Sequence, residues 1–160
     1  KGRNLFAGEF GIMELGEEGS FSMLATAVHM AERYCLRKGL DEKHYSGKQV
    51  FEFAEKGDRL AQEEVNKFYD YLSLGIYNLL FTTDPQAVIL GGGVSQKEDL
   101  VENIQVRIDQ RLEKQNLQNY RYELRTCHFH NDANLLGAVY RFLVDRKGSL
   151  DGNFEIKSEL

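Results

Sequence analysis

From residue 59 to 83 the apolar side chains Leu60, Ala61, Val65, Phe68, Leu72, Ile76 and Leu79 recur at three- and four-residue steps. That spacing predicts one long amphipathic helix, on the order of 36 Å, as the spine of the domain. Gly57 ends the segment before it, and Asp58 is placed to cap the new helix. Shorter helical patterns flank it. Residues 21–37 put Phe21, Leu24, Ala25, Val28, Ala31 and Cys35 on one face, with Ser20 as N-cap and Gly39 as terminator. Residues 48–56 offer Val50, Phe51, Phe53 and Ala54 as core contacts. Leu100, Val101, Ile104, Ile108 and Leu112 mark a helix within 97–113. A last helix begins at Asn131 or Asp132, with Ala133, Leu136, Gly137, Tyr140 and Leu143 inward.

Two segments break the helical period. Ala87–Leu90 are four consecutive apolar residues, which predicts a strand buried on both faces. Residues 120–127 alternate and predict a half-buried strand. Pro85, the single proline, stops the long helix just ahead of the first strand. Gly91, Gly92 and Gly93 follow that strand at once and lead into the next helix. Strand, glycine turn and helix form the unit at which α/β folds seat nucleotides. By itself the turn reads first as a bare connection and second as a ligand seat. Its spacing excludes both the dinucleotide fingerprint and the P-loop.

At 160 residues one domain is expected, with a hydrophobic fraction of 42% and a formal net charge of −5. This balance favours neither nucleic acid nor an anionic membrane. No apolar run reaches the ~20 residues of a membrane span. Cys35 and Cys127 show no pairing or metal spacing, which points to reduced thiols in a cytoplasmic protein. The chain opens Lys1-Gly2-Arg3-Asn4 without Met, as a piece of a longer protein would. From Gly148 a polar, loose tail is expected.

Four local motifs, in order, resemble those of the ROK family (repressors, open reading frames, kinases). Ala7-Gly8-Glu9-Phe10-Gly11 is similar to its Ala-Gly-Glu-x-Gly-His motif, and Ser46–Phe51 with Gly57-Asp58 fall where members carry like residues. Asp84-Pro85 through Gly91-Gly92-Gly93-Val94-Ser95 resembles its Asp-Pro-strand-glycine motif, and Asn131–Ala138 its closing helix. The likeness implies an α/β, actin-like (ribonuclease H-like) fold. Residues 1–147 would form the C-terminal lobe, with the phosphate loops and catalytic aspartate upstream, so that this chain contributes no catalytic residue.

The resemblance implies that Glu9 accepts hydrogen bonds from sugar hydroxyls; without it, Glu9 reads as a surface carboxylate in a turn. Gly91, Gly92 and Gly93 would lie along the adenosine of ATP, with Val94 and Ser95 on the same edge. The activity implied is transfer of the γ-phosphoryl of Mg-ATP to a hexose or β-glucoside hydroxyl, or alternatively sugar sensing by a repressor. The fragment alone is expected to be inactive, and a homodimer is expected. Two departures qualify the sugar site. Ile12 stands where the family has a zinc- and sugar-binding histidine, and Ser22 where it has a second sugar-binding glutamate. The cysteine-rich zinc loop is replaced by Gly16–Ser20, so no metal site is expected.

The remaining polar residues read structurally. His128 and His130, two apart on a strand pattern, would point the same way without a third ligand. Tyr69, Tyr71 and Tyr77 read as packing or a dimer face. Glu63, Glu64 and Asp70 read as the solvated side of the long helix, and Arg121 and Arg125 as a solvated strand edge.

Overall fold

The computed structural model describes residues 3–4 and 6–147. Its helices are α1 (Phe21–Leu24), α2 (Ala27–Arg37), α3 (Gly47–Glu55), α4 (Arg59–Thr83), α5 (Leu100–Lys114) and α6 (Ala133–Lys147). Its strands are β1 (Val88–Leu90) and β2 (Leu124–Thr126). The α/β reading holds. The tail expected over 148–160 lies outside the described residues.

The spine is α4, with the bounds that the periodicity gave. Asp58 Oδ1 accepts from the Ala61 amide at 3.0 Å, capping its start. Its end falls at Asp84, which takes the left-handed conformation with φ 42° just ahead of Pro85. Helices α2, α3 and α5 pack around α4. Phe68, Ile76 and Leu80 of α4 meet Met30, Val50, Leu100, Ile104 and Ile108 in one core. At Gly75 a Cβ would sit 2.3 Å from the ring of Phe21, so this glycine is what lets α1 lie against the spine. Strand β1 pairs in parallel with β2, Val88 opposite Leu124 and Leu90 opposite Thr126, with α5 as the crossover between them.

The structure corrects five expectations. The helix expected over 21–37 is two helices. Thr26 interrupts it, its Oγ1 accepting from the His29 amide at 3.3 Å, and Val28 faces outward. Arg33 accounts for the break, because its guanidinium reaches back to the carbonyls of Met23 at 2.9 Å and Leu24 at 3.3 Å. These are carbonyls that a continuous helix would use internally.

Glu64 is fully buried rather than solvated. Arg33 Nε at 2.9 Å and Arg37 Nη1 at 2.7 Å grip its two oxygens, so α2 and α4 meet across an ion cluster in which the carboxylate is buried and the arginines reach solvent. Ile89 of β1 is 60% exposed, because no element among the described residues covers that side of the two-stranded sheet. On α6, Leu136, Tyr140 and Leu143 are exposed rather than inward. A helix this apolar all round gives the period no inner face to pick out. Finally, β2 ends at Thr126, so His128 and His130 lie beyond the strand and share no strand face.

Cys35 is buried, Cys127 half-buried, and both are free thiols. Among the described residues no helix is long and apolar enough to cross a membrane.

Candidate functional site: the glycine turn and its cleft

Strand β1 runs out at Leu90 and the chain turns at once. Gly92 has φ 78° and ψ −174°, a region that is essentially closed to residues with a Cβ. Gly93 then opens a short 3-10 turn through Gln96. The bend is fixed from two sides. Ser95 donates to the Gly92 carbonyl twice, from its amide at 3.1 Å and from its hydroxyl at 2.6 Å. Gly92 in turn donates its amide to the His130 carbonyl at 3.3 Å. His130, itself at φ 42°, brings Nδ1 to 2.9 Å from Ser95 Oγ. That hydroxyl spends its one hydrogen on Gly92, so Nδ1–H of His130 is the donor.

The turn forms part of the wall of a cleft of about 1060 Å³. Leu90, Val94, Phe51, Phe68, Leu72 and Leu100 give it an apolar floor. Another wall comes from α3, which starts at Ser46 with a complete capping box shared with Gln49. Gly47 allows that start to touch α2, since a Cβ there would lie 2.7 Å from the Ala27 carbonyl oxygen. Lys97 lines the cleft over the Phe51 ring, 5.3 Å from its centroid. It is held by Glu55 at 2.9 Å and Asp99 at 3.1 Å. Burial works against its charge, but these two carboxylates outweigh burial and keep its pKa above the usual lysine value.

The structure brings some of the expected residues together and not others. Gly91, Gly92, Gly93 and Val94 all line the cleft. Ser95 is buried behind the turn and braces it. Glu9 is exposed at the start of the 3-10 turn Phe10–Ile12, makes no side-chain cap bond and does not line this cleft. Gly11 and Ser22 do line it. Ile12 is 65% exposed, and Tyr71 donates a short hydrogen bond to Glu18, tying the loop that replaces the cysteine-rich segment to α4.

Tyr69 packs on Phe51 and Phe68, and Tyr77 on Phe81, as packing residues would. Burial, and secondarily Asp99, pushes the unpartnered Tyr69 hydroxyl up to about 12. Arg125 pairs with Glu123 at 2.9 Å. Among the described residues no group of three or more His, Cys, Asp or Glu could hold a metal ion.

Sequence reasoning missed the polar face of α3, which carries Lys48, Glu52 and Glu55 into the cleft. In an amphipathic pattern such residues look like any solvated face. Of the three, Lys48 alone falls within the Ser46–Phe51 motif, whereas Glu52 and Glu55 lie past it.

A model of the ROK family matches residues 3–145. A β-glucoside kinase of Klebsiella pneumoniae is 31% identical over 148 residues, covering 88% of this chain and 48% of that protein. The crystal structure of a ROK family protein from Streptococcus pneumoniae in complex with sucrose superposes with a TM-score of 0.75 at 27% identity, over 92% of this chain and 52% of that one. The ROK hexokinase of Thermus thermophilus superposes with a TM-score of 0.71 at 24% identity, over 91% of this chain and 51% of that one, and shows the fold. The fold is that of the actin-like ATPases. The chain spans about half the length of the curated relatives it matches.

Proposed function

The chain belongs to the ROK family, and from that premise we propose that it is the nucleotide-holding part of an ATP-dependent sugar kinase. The reaction in this reading moves the γ-phosphoryl of ATP to a hydroxyl of a hexose or β-glucoside. The observation that carries it is the cleft beside Gly92. A backbone conformation restricted to glycine faces a volume large enough for a nucleotide, above an apolar floor suited to a flat base. That relatives of this chain are named β-glucoside kinases and N-acetyl-D-glucosamine kinases supports the reaction class.

The chain's own residues contribute positioning. Gly91, Gly92 and Gly93 let the backbone approach the adenosine without a side chain between, and Ser95 with His130 holds that backbone in place. Bound ATP supplies the phosphoryl group. Magnesium accompanies the nucleotide in this reading; among the described residues no group of three or more His, Cys, Asp or Glu could hold it. Glu9 is the proposed sugar contact, an exposed carboxylate able to accept two hydrogen bonds. Catalysis at the sugar hydroxyl belongs to residues outside this chain, and the setting is cytoplasmic, where ATP and free thiols coexist. The exposed Ile89, Leu136 and Leu143 support a covered face in the assembled protein, with a second copy as its partner. A clean monomer in light scattering contradicts the dimer.

A coupled ADP-release assay of the parent polypeptide that carries this chain, with a panel of hexoses and β-glucosides, tests the reading. Sugar-dependent ADP release is the expected result. Sugar binding without ADP release overturns the kinase and leaves a sensor.

A further inference from the structure

We propose that the polar face of α3 reads the nucleotide, the Glu52 carboxylate taking ribose hydroxyls and the Lys48 ammonium taking a phosphate. The inference rests on the nucleotide reading of the glycine cleft and assigns two contacts within it.

Lys48 and Glu52 are four residues apart on one helical face, and both line the cleft that Gly91, Gly92 and Gly93 also line. Among the described residues neither side chain takes part in a hydrogen bond or ion pair. Glu55, one turn further along, shows the contrast, since Lys97 occupies it at 2.9 Å. Lys48 and Glu52 do not neutralise each other, and lysine preceding glutamate by four is the weaker order for such a pair. Lys48 also stands in the first turn of α3, where the helix dipole disfavours a cation and an arriving anion would relieve it.

An unpaired acid and an unpaired base on one wall call for a ligand with adjacent hydroxyl donors and a negative charge. A vicinal diol presents two O–H donors to the two oxygens of a carboxylate. A phosphate presents the anion. A free sugar would satisfy only Glu52 and inorganic phosphate only Lys48, whereas a ribonucleoside phosphate satisfies both.

The test is equilibrium titration of the protein with ATP, 2′-deoxyATP and adenosine. The unsubstituted protein is expected to bind ATP about tenfold more tightly than 2′-deoxyATP. Glu52→Gln should bring that ratio to near one while leaving the ATP-to-adenosine ratio in place. Lys48→Met should weaken ATP about tenfold and adenosine by less than about twofold. Losses that are equal for all three ligands, or ratios unchanged by either substitution, overturn the assignment while the nucleotide cleft stands. If the unsubstituted protein binds none of the three, the nucleotide reading falls and the assignment with it.

Discussion

Ser95 Oγ lies 2.9 Å from Nδ1 of His130, thirty-five residues further along the chain, and passes its own hydrogen to the Gly92 carbonyl at 2.6 Å. These two hydrogen bonds join the segment after β2 to the glycine turn. Removing His130 takes one of two hydrogen bonds from the buried Ser95 hydroxyl, which keeps the one it donates to Gly92. His130→Ala should cost about 1 kcal/mol of stability and weaken ATP binding several-fold. His130→Asn, which tolerates the left-handed backbone and keeps an N–H donor, should restore most of both. Urea unfolding and nucleotide titration read the two effects.

Gly92 and Gly91 should separate sharply on substitution. Alanine at 92 must hold φ 78° with ψ −174°, a strain of about 1–3 kcal/mol, or give up the turn. Alanine at 91 places its Cβ 4.0 Å from that of Cys127, an ordinary contact. Thermal unfolding should therefore show a clear loss for Gly92→Ala and little change for Gly91→Ala. Equal losses would mean that the turn is not held as described.

Breaking the ion cluster should be expensive from one side. Arg33→Met leaves the buried Glu64 with the half-exposed Arg37 alone, and should cost about 3 kcal/mol in urea unfolding. Adding Glu64→Leu to it should recover a large part of that loss, because the uncompensated charge goes with it.

Asp58 gives the fold an acid limb. The ammonium of Lys38 at 2.9 Å, then the Ala61 amide, lower its carboxyl from the ordinary value to about 2. A folded pKa below the unfolded one contributes stability above pH ~4, and that contribution disappears as pH falls through about 2. Asp58→Asn keeps the helix cap but loses the ion pair. It should lower stability at neutral pH and flatten the decline between pH 4 and 2, measured by unfolding across that range.

Much of the frame was legible because it rests on local rules. The bounds of α4 followed from its period, from the Asp58 cap and from Pro85, and the strand and glycine turn followed from composition alone. What escaped depends on partners distant in sequence. Nothing in the pair Glu63-Glu64 says which one two arginines on α2 will bury. The break at Thr26 needs Arg33 to reach back over it, and the apolar phase runs on through the interruption. On α6 the apolar residues surround the axis, so no face could be chosen. At the site, the glycines were visible as a motif, whereas Lys48 and Glu52 acquire meaning only once α3 and the turn share a cleft.

The most direct test of the nucleotide cleft is a crystal structure of the protein with a non-hydrolysable ATP analogue. The account predicts density for the nucleoside along Gly91, Gly92 and Gly93, with the base over Leu90, Val94 and Phe51. Density elsewhere, as in the 580 Å³ groove beside Tyr120 and Tyr122, with the glycine cleft empty, would contradict it.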